Sequence, residues 1–101
     1  ERLCDFVLSL GEGLEVCVDD CTANGFFGRS MLGRCLTSEV VESDRLRLAL
    51  AFQQASESRI PQCLQVTLQE HGRNLEARLL LTDTGGSQPK YIVGLSVESG
   101  G

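Results

Sequence analysis

The sequence predicts an α+β domain in which one antiparallel sheet carries short helices and one longer helix on a single face. Three observations lead there. Apolar and polar residues alternate with a period of two near both ends of the chain, the pattern of strands with one buried face. Between these ends lies a single stretch with helical spacing. Glycine-rich turns separate the alternating runs, and strands interrupted by one helical block segregate their helices to one side of a sheet. With 101 residues the chain is large enough for one core of its own, so residues 1–101 are read as a single domain with its core at about 5–98.

The elements follow in order. Phe6, Leu8 and Leu10 alternate with Asp5, Val7 and Ser9, which makes a first strand. Gly11 and Gly13 supply a turn, and Leu14, Val16 and Val18 resume the alternation as a second strand, closing an N-terminal hairpin. From Asp19 to Glu42 glycines at 25, 28 and 33 limit any helix to single turns, with Phe26, Phe27, Met31 and Leu32 as the apolar anchors. Ser43 to Ala55 is the one long helix. Its stripe is Leu46, Ala49 and Leu50, widened by Leu48, Phe52 and Ala55, with Ser43 as the capping residue and Asp44 at the positive end of the dipole. Ser56 to Pro61 ends it. Three strands follow as a meander: Leu64/Val66/Leu68, then Leu75/Ala77/Leu79/Leu81 after the turn from Glu70 to Arg73, then Tyr91/Val93/Leu95/Val97 after the turn from Asp83 to Pro89. Ser99, Gly100 and Gly101 read as linker.

Composition narrows the function classes. Nine basic against fourteen acidic side chains give a net charge of −5, and the densest basic group, Arg45, Arg47 and Arg59, is interleaved with Glu42, Asp44 and Glu57. Phosphate backbones need a basic stripe, so nucleic acid is not an expected partner. No apolar run reaches the about 18 residues of a membrane span, and no signal peptide opens the chain. The cysteines at 4, 17, 21, 35 and 63 are odd in number and irregularly spaced, which favours reduced thiols in a cytoplasmic or nuclear compartment. Cys17 and Cys21 lack the further ligands of a zinc site, since His71 is distant in sequence, so no metal is expected. The first residue is Glu1, and the chain reads as a segment of a larger multidomain protein.

Three stretches resemble the PAS family of sensory domains, across nearly the whole chain. Asn24-Gly-Phe-Phe-Gly-Arg-Ser-Met-Leu-Gly-Arg34 is similar to the family's region of an asparagine, a short helix and Leu-Gly-Arg, shortened by a few residues. Glu42-Ser-Asp-Arg-Leu-Arg-Leu-Ala-Leu50 matches its Asp-Arg entry into the longest helix. Gly72-Arg-Asn-Leu-Glu-Ala-Arg78 and Asp83-Thr-Gly-Gly-Ser87, followed by Tyr91-Ile-Val-Gly94, resemble its final strands and turns, with His71 departing from the usual Asp or Asn. The resemblance implies a five-stranded sheet in order 2-1-5-4-3. It also implies sensing, dimerisation or docking on a neighbouring domain as the function.

Individual residues restrict the chemistry. The Gly33-Arg-Cys-Leu-Thr-Ser38 stretch lacks the Asn-Cys-Arg-Phe-Leu-Gln pattern of flavin-adduct domains, and His71 in a hairpin turn is a poor haem ligand. No cofactor is therefore expected. One histidine cannot serve a nucleophile with base and orienting group together, and Gly25, Gly28 and Gly33 lack the Lys-Ser/Thr ending of a phosphate loop, so no catalytic residues are assigned and no enzyme is expected. Glu12, Glu15, Asp19 and Asp20 read as solvated surface. Two surfaces remain. Phe26, Phe27, Met31, Leu50, Phe52, Val66, Leu79 and Leu95 could line an apolar pocket for a small ligand, the alternative being a filled core. On the other sheet face Val7, Cys17, Leu80 and Ile92 gather around Gly94 as an apolar patch, interrupted by Glu76 and Arg78, the mark of an interaction face. The leading expectation is a signal-relay module of a cytosolic protein acting through this face, by homodimerisation or by docking on a neighbouring domain.

Overall fold

The structure, a computed structural model, describes residues 6–70, 72–86 and 89–97. Cys4, Asp5, His71 and the 99–101 linker named above lie outside the described residues. Strands β1 (Phe6–Leu10), β2 (Gln62–Glu70), β3 (Arg73–Asp83) and β4 (Tyr91–Val97) are joined through helices α1 (Cys21–Phe27) and α2 (Glu42–Ser58), with a 3₁₀ turn at Leu36–Glu39 between the helices. All pairings are antiparallel, in the order β1-β4-β3-β2.

The two ends of the chain do close into one sheet, because β1 lies beside β4, with Phe6 opposite Leu95 and Leu10 opposite Tyr91. The expected five-stranded PAS sheet is not what forms: among the described residues the sheet has four strands, and the expected second strand, Leu14 to Val18, is missing. Only isolated bridges remain there, Leu10 to Val16 and Glu15 to Cys35. The reason is local. Leu14 takes a left-handed backbone with φ of 65°, and its N–H donates to Gly11 O at 3.0 Å. Val16 then pairs outward with the loop before the 3₁₀ turn: its N–H donates to Arg34 O at 2.9 Å and its carbonyl accepts from Gly33 N at 2.8 Å. A segment held on both sides over three residues cannot extend along β1 as a ladder.

Capping explains where the helices sit. Asp20 Oδ1 accepts from Thr22 N at 2.8 Å and Ala23 N at 3.2 Å, and Gly28 ends α1 in the left-handed conformation at φ 72°, so seven residues form two turns. Helix α2 starts after Val41, which has no side-chain cap. Ser43 is exposed and does not cap the helix, and the helix runs on to Ser58, where Arg59 at φ 59° closes it. Its buried stripe is Leu48, Phe52 and Ala55, with Ala51 half-buried. Leu46 and Leu50, expected inside, are 70% and 50% exposed. Leu32 is likewise exposed, and Ala23, Leu36 and Val40 anchor the helical segment in its place.

The meander matches the alternation read from sequence. Val66, Leu68, Ala77, Leu79, Leu81, Tyr91, Val93 and Leu95 are all buried on one face, joined there by Phe6, Leu8 and Leu10 of β1. Gly72, at φ 75°, makes the tight β2–β3 turn, which closes with Glu70 opposite Arg73. No helix among the described residues is long and apolar enough to cross a membrane.

Candidate interaction surface

Strand register brings the outer-face residues together. Val7 lies opposite Gly94, Gly94 opposite Leu80, and Leu80 opposite Cys63, so these four residues form one row across the full width of the sheet. The next row is Ser9, Ile92 and Thr82. Side chains of one parity share a face, and the other parity is the buried one packed under the helices. Val7 and Leu80 are 39% and 51% exposed, while Ile92 and Gly94 are half-buried. Cys17 sits at the rim, its N–H donating to Ser9 O at 2.8 Å along the outer edge of β1. Cys63, exposed at the far end of the Val7 row, is a member that strand-by-strand reading did not place there. The signal that finds it is the antiparallel register itself.

The row flanking this patch on the other side is polar. Arg78 lies between Ser96 and Gln65, and Glu76 lies opposite Thr67. Among the described residues the face thus carries an apolar centre with one charge of each sign at its border, although the whole chain has a net charge of −5.

The residues proposed to line a pocket lie mostly inside the core. Phe27, Met31, Phe52, Val66, Leu79 and Leu95 are buried, Phe26 is half-buried, and Leu50 stays outside on the solvent face of α2. Three phenyl rings interlock at this end of the sheet: Phe26 and Phe27 edge-to-face at 4.9 Å, with Phe6 at 5.1 Å from Phe26 and 5.8 Å from Phe27. Phe52 meets Tyr91 edge-to-face at 4.8 Å at the other end. Rings at these separations are in direct contact with one another between helix and sheet.

Polar groups whose contacts sequence reading did not foresee are tied to the scaffold. Glu39, 3% exposed, accepts from Arg29 Nη2 on Oε1 and from Arg34 Nε on Oε2 at 3.2 Å, clamping the two ends of the loop that follows α1. Its signal in the sequence is only an acid ten residues after one arginine and five after another. Asp44 is held below the usual carboxylate range by the backbone N–H of Thr67, 2.8 Å from Oδ2, and by the Arg47 guanidinium at 3.0 Å. Asp83 is lowered too, mainly by the Gly85 N–H and, against the opposing effect of burial, by Lys90, whose Nζ lies 3.1 Å from Oδ2. Both are hydrogen-bonded anchors of loop and helix ends.

The described cysteines at 17, 21, 35 and 63 are free thiols. Among the described residues no group of three or more His, Cys, Asp or Glu side chains could hold a metal ion. No family model and no curated protein matches the chain, so nothing in these comparisons identifies the sensory family that its motifs resemble.

Proposed function

We propose that this chain is a binding module without catalytic activity of its own, acting through the outer face of its sheet on a neighbouring domain of a larger signalling protein in a reducing, cytoplasmic compartment. The observation that carries the reading is the Val7–Gly94–Leu80–Cys63 row, with Ile92 beside it, on the face opposite the helices. Apolar side chains on both faces are the habit of sheets covered on both sides. The helices of this chain cover one.

Size decides what kind of docking this supports. Four strands about 4.8 Å apart and about five residues long at about 3.3 Å per residue give a face of roughly 19 by 17 Å. That is roughly 320 Å², below half of the about 800 Å² that a stable interface takes from each partner. Docking through this face alone is weak and reversible. A tethered neighbour, held at high effective concentration, can use such a face where a free partner cannot, and a second copy is the weaker version of the same reading. Signal relay is then a shift between docked and undocked arrangements. A ligand chamber in the core has less support, because Phe26 and Phe27, which would line it, contact each other and Phe6.

Leu80→Asp and Ile92→Asp test the reading. Both variants should fold, and both should loosen the chain from its neighbour in the full-length protein, read as faster amide exchange across β3 and β4. Sedimentation of the isolated chain tests the second-copy version. If wild type and variants are monomeric at every concentration, homodimerisation is lost. If the aspartates also leave exchange in the full-length protein unchanged, the whole reading fails.

A further inference from the structure

Strand β2 is an edge of the sheet, and over residues 62–69, ahead of its terminal Glu70, its side chains do nothing to protect that edge. From Gln62 to Gln69 it reads Gln-Cys-Leu-Gln-Val-Thr-Leu-Gln, with no charged residue, no proline and no glycine. Uncharged, β-prone edges of this kind recruit another strand unless something blunts them.

The blunting comes from the start of α2. Val41 N donates to Thr67 O at 2.9 Å, and Thr67 N donates to Asp44 Oδ2 at 2.8 Å, so both outward backbone groups of Thr67 are occupied. Arg47 Nη2 donates to Gln65 O at 2.7 Å and to Asp44 Oδ1 at 3.0 Å, which extends the cover by one outward-facing residue and steadies the carboxylate. Val40 bridges Leu68 next to them. One backbone amide, one carboxylate and one guanidinium thus take the places a neighbouring strand would fill.

We propose that the first turn of α2 is an edge guard that keeps β2 from pairing with β2 of a second copy, so that self-association by sheet extension is latent in the fold and gated by Asp44 and Arg47. The occupant follows from the strand itself. An antiparallel β2–β2 pair about a two-fold axis keeps Gln65 and Thr67 of both copies on one face and Val66 and Leu68 on the other, continuing both faces of the sheet. The strand is neutral from 62 to 69, so two chains of net charge −5 meet there without like charges in contact. This surface is separate from the outer-face patch and stands or falls independently of it.

The test is the double variant Asp44→Ala, Arg47→Ala, followed by hydrogen exchange and sedimentation at rising concentration. At low concentration the Thr67 amide should exchange about tenfold faster than in wild type, the effect of losing one charge-assisted hydrogen bond. At high concentration the sedimenting mass should double. Adding Gln65→Lys, which charges the edge, should restore the wild-type mass, whereas adding Val7→Asp on the opposite edge strand should not. A double variant that sediments as wild type does, whatever its exchange, overturns the proposal. So does a doubled mass that Val7→Asp abolishes and Gln65→Lys leaves intact. Should the double variant fail to fold, Arg47→Ala alone, at a more exposed position, is read by sedimenting mass only, because the Thr67 amide keeps Asp44 as its acceptor; a mass that stays at the wild-type value overturns the proposal.

Discussion

Leu79 and Leu80 are chain neighbours on β3 with opposite environments, and the pair tests the assignment of the two sheet faces. Leu79 is fully buried among the core side chains, whereas Leu80 keeps 51% of its surface in water. Truncating a buried leucine removes its transfer free energy and leaves a cavity, so Leu79→Ala should cost about 2–5 kcal/mol. Full burial of a leucine is worth about 1.5–3 kcal/mol, and half of that is lost in Leu80→Ala, giving a cost of about 1 kcal/mol. Urea unfolding of the isolated chain separates the two. With a slope of about 1.5 kcal/mol/M, the midpoint should fall by roughly 2 M for Leu79→Ala and by roughly 0.7 M for Leu80→Ala. Equal shifts would mean that Leu80 is covered within the isolated chain, and the outer face would then be no free surface at all.

Two further perturbations probe the scaffold. Glu39→Gln should cost about 1–3 kcal/mol, because the carboxylate is buried between two guanidinium groups. Arg29 and Arg34 keep 36% and 46% of their surface in water, so the loss stays below the about 3–5 kcal/mol of a broken, fully buried pair; thermal unfolding of the variant measures it. Acid should destabilise the chain through Asp44 and Asp83, whose folded pKa values lie below the ordinary 3.8. A depressed carboxylate stabilises the fold fully above its unfolded pKa and loses that contribution as the pH falls through the folded value. Urea midpoints between pH 5 and about pH 2 should therefore fall less steeply in an Asp44→Asn, Asp83→Asn variant than in wild type, and parallel slopes would remove these two groups from the acid response.

Strand phases were legible in the residues because a period of two leaves little room for error. In β3 and β4 the residues expected to face the core are buried or packed against it, apart from half-buried Leu75 near the β2–β3 turn, and the closing of both ends into one sheet follows from the same reading. Helix α2 shows the opposite case. Leu46, Leu48, Leu50 and Phe52 offer apolar side chains around more than half of the helix, so periodicity alone leaves several stripes open. The chosen stripe depends on tertiary contacts: Asp44 and Arg47 attach to the edge of β2, and this rotation turns Leu48, Phe52 and Ala55 inward and Leu46 and Leu50 outward. Likewise, Leu14, Val16 and Val18 alternate as a strand would. The left-handed backbone at Leu14 and the competing bonds from Gly33 and Arg34 are long-range facts that alternation does not contain.

The outer face was legible for the same reason as the core. An antiparallel sheet with one wet face alternates apolar and polar residues, and β3 and β4 break that rule at Leu80, between Leu79 and Leu81, and at Ile92, between Tyr91 and Val93. Each break alone is an ordinary exposed apolar residue. Register adds what sequence order cannot: it puts Leu80 beside Cys63 and, across Gly94, in line with Val7, with Ile92 in the next row, although these residues are spread over most of the chain. Side chains that gather only after folding on this face lie outside the buried core cluster. Their convergence on one face is the observation on which the proposed docking rests, and that face lies opposite the helices and their packed aromatic rings.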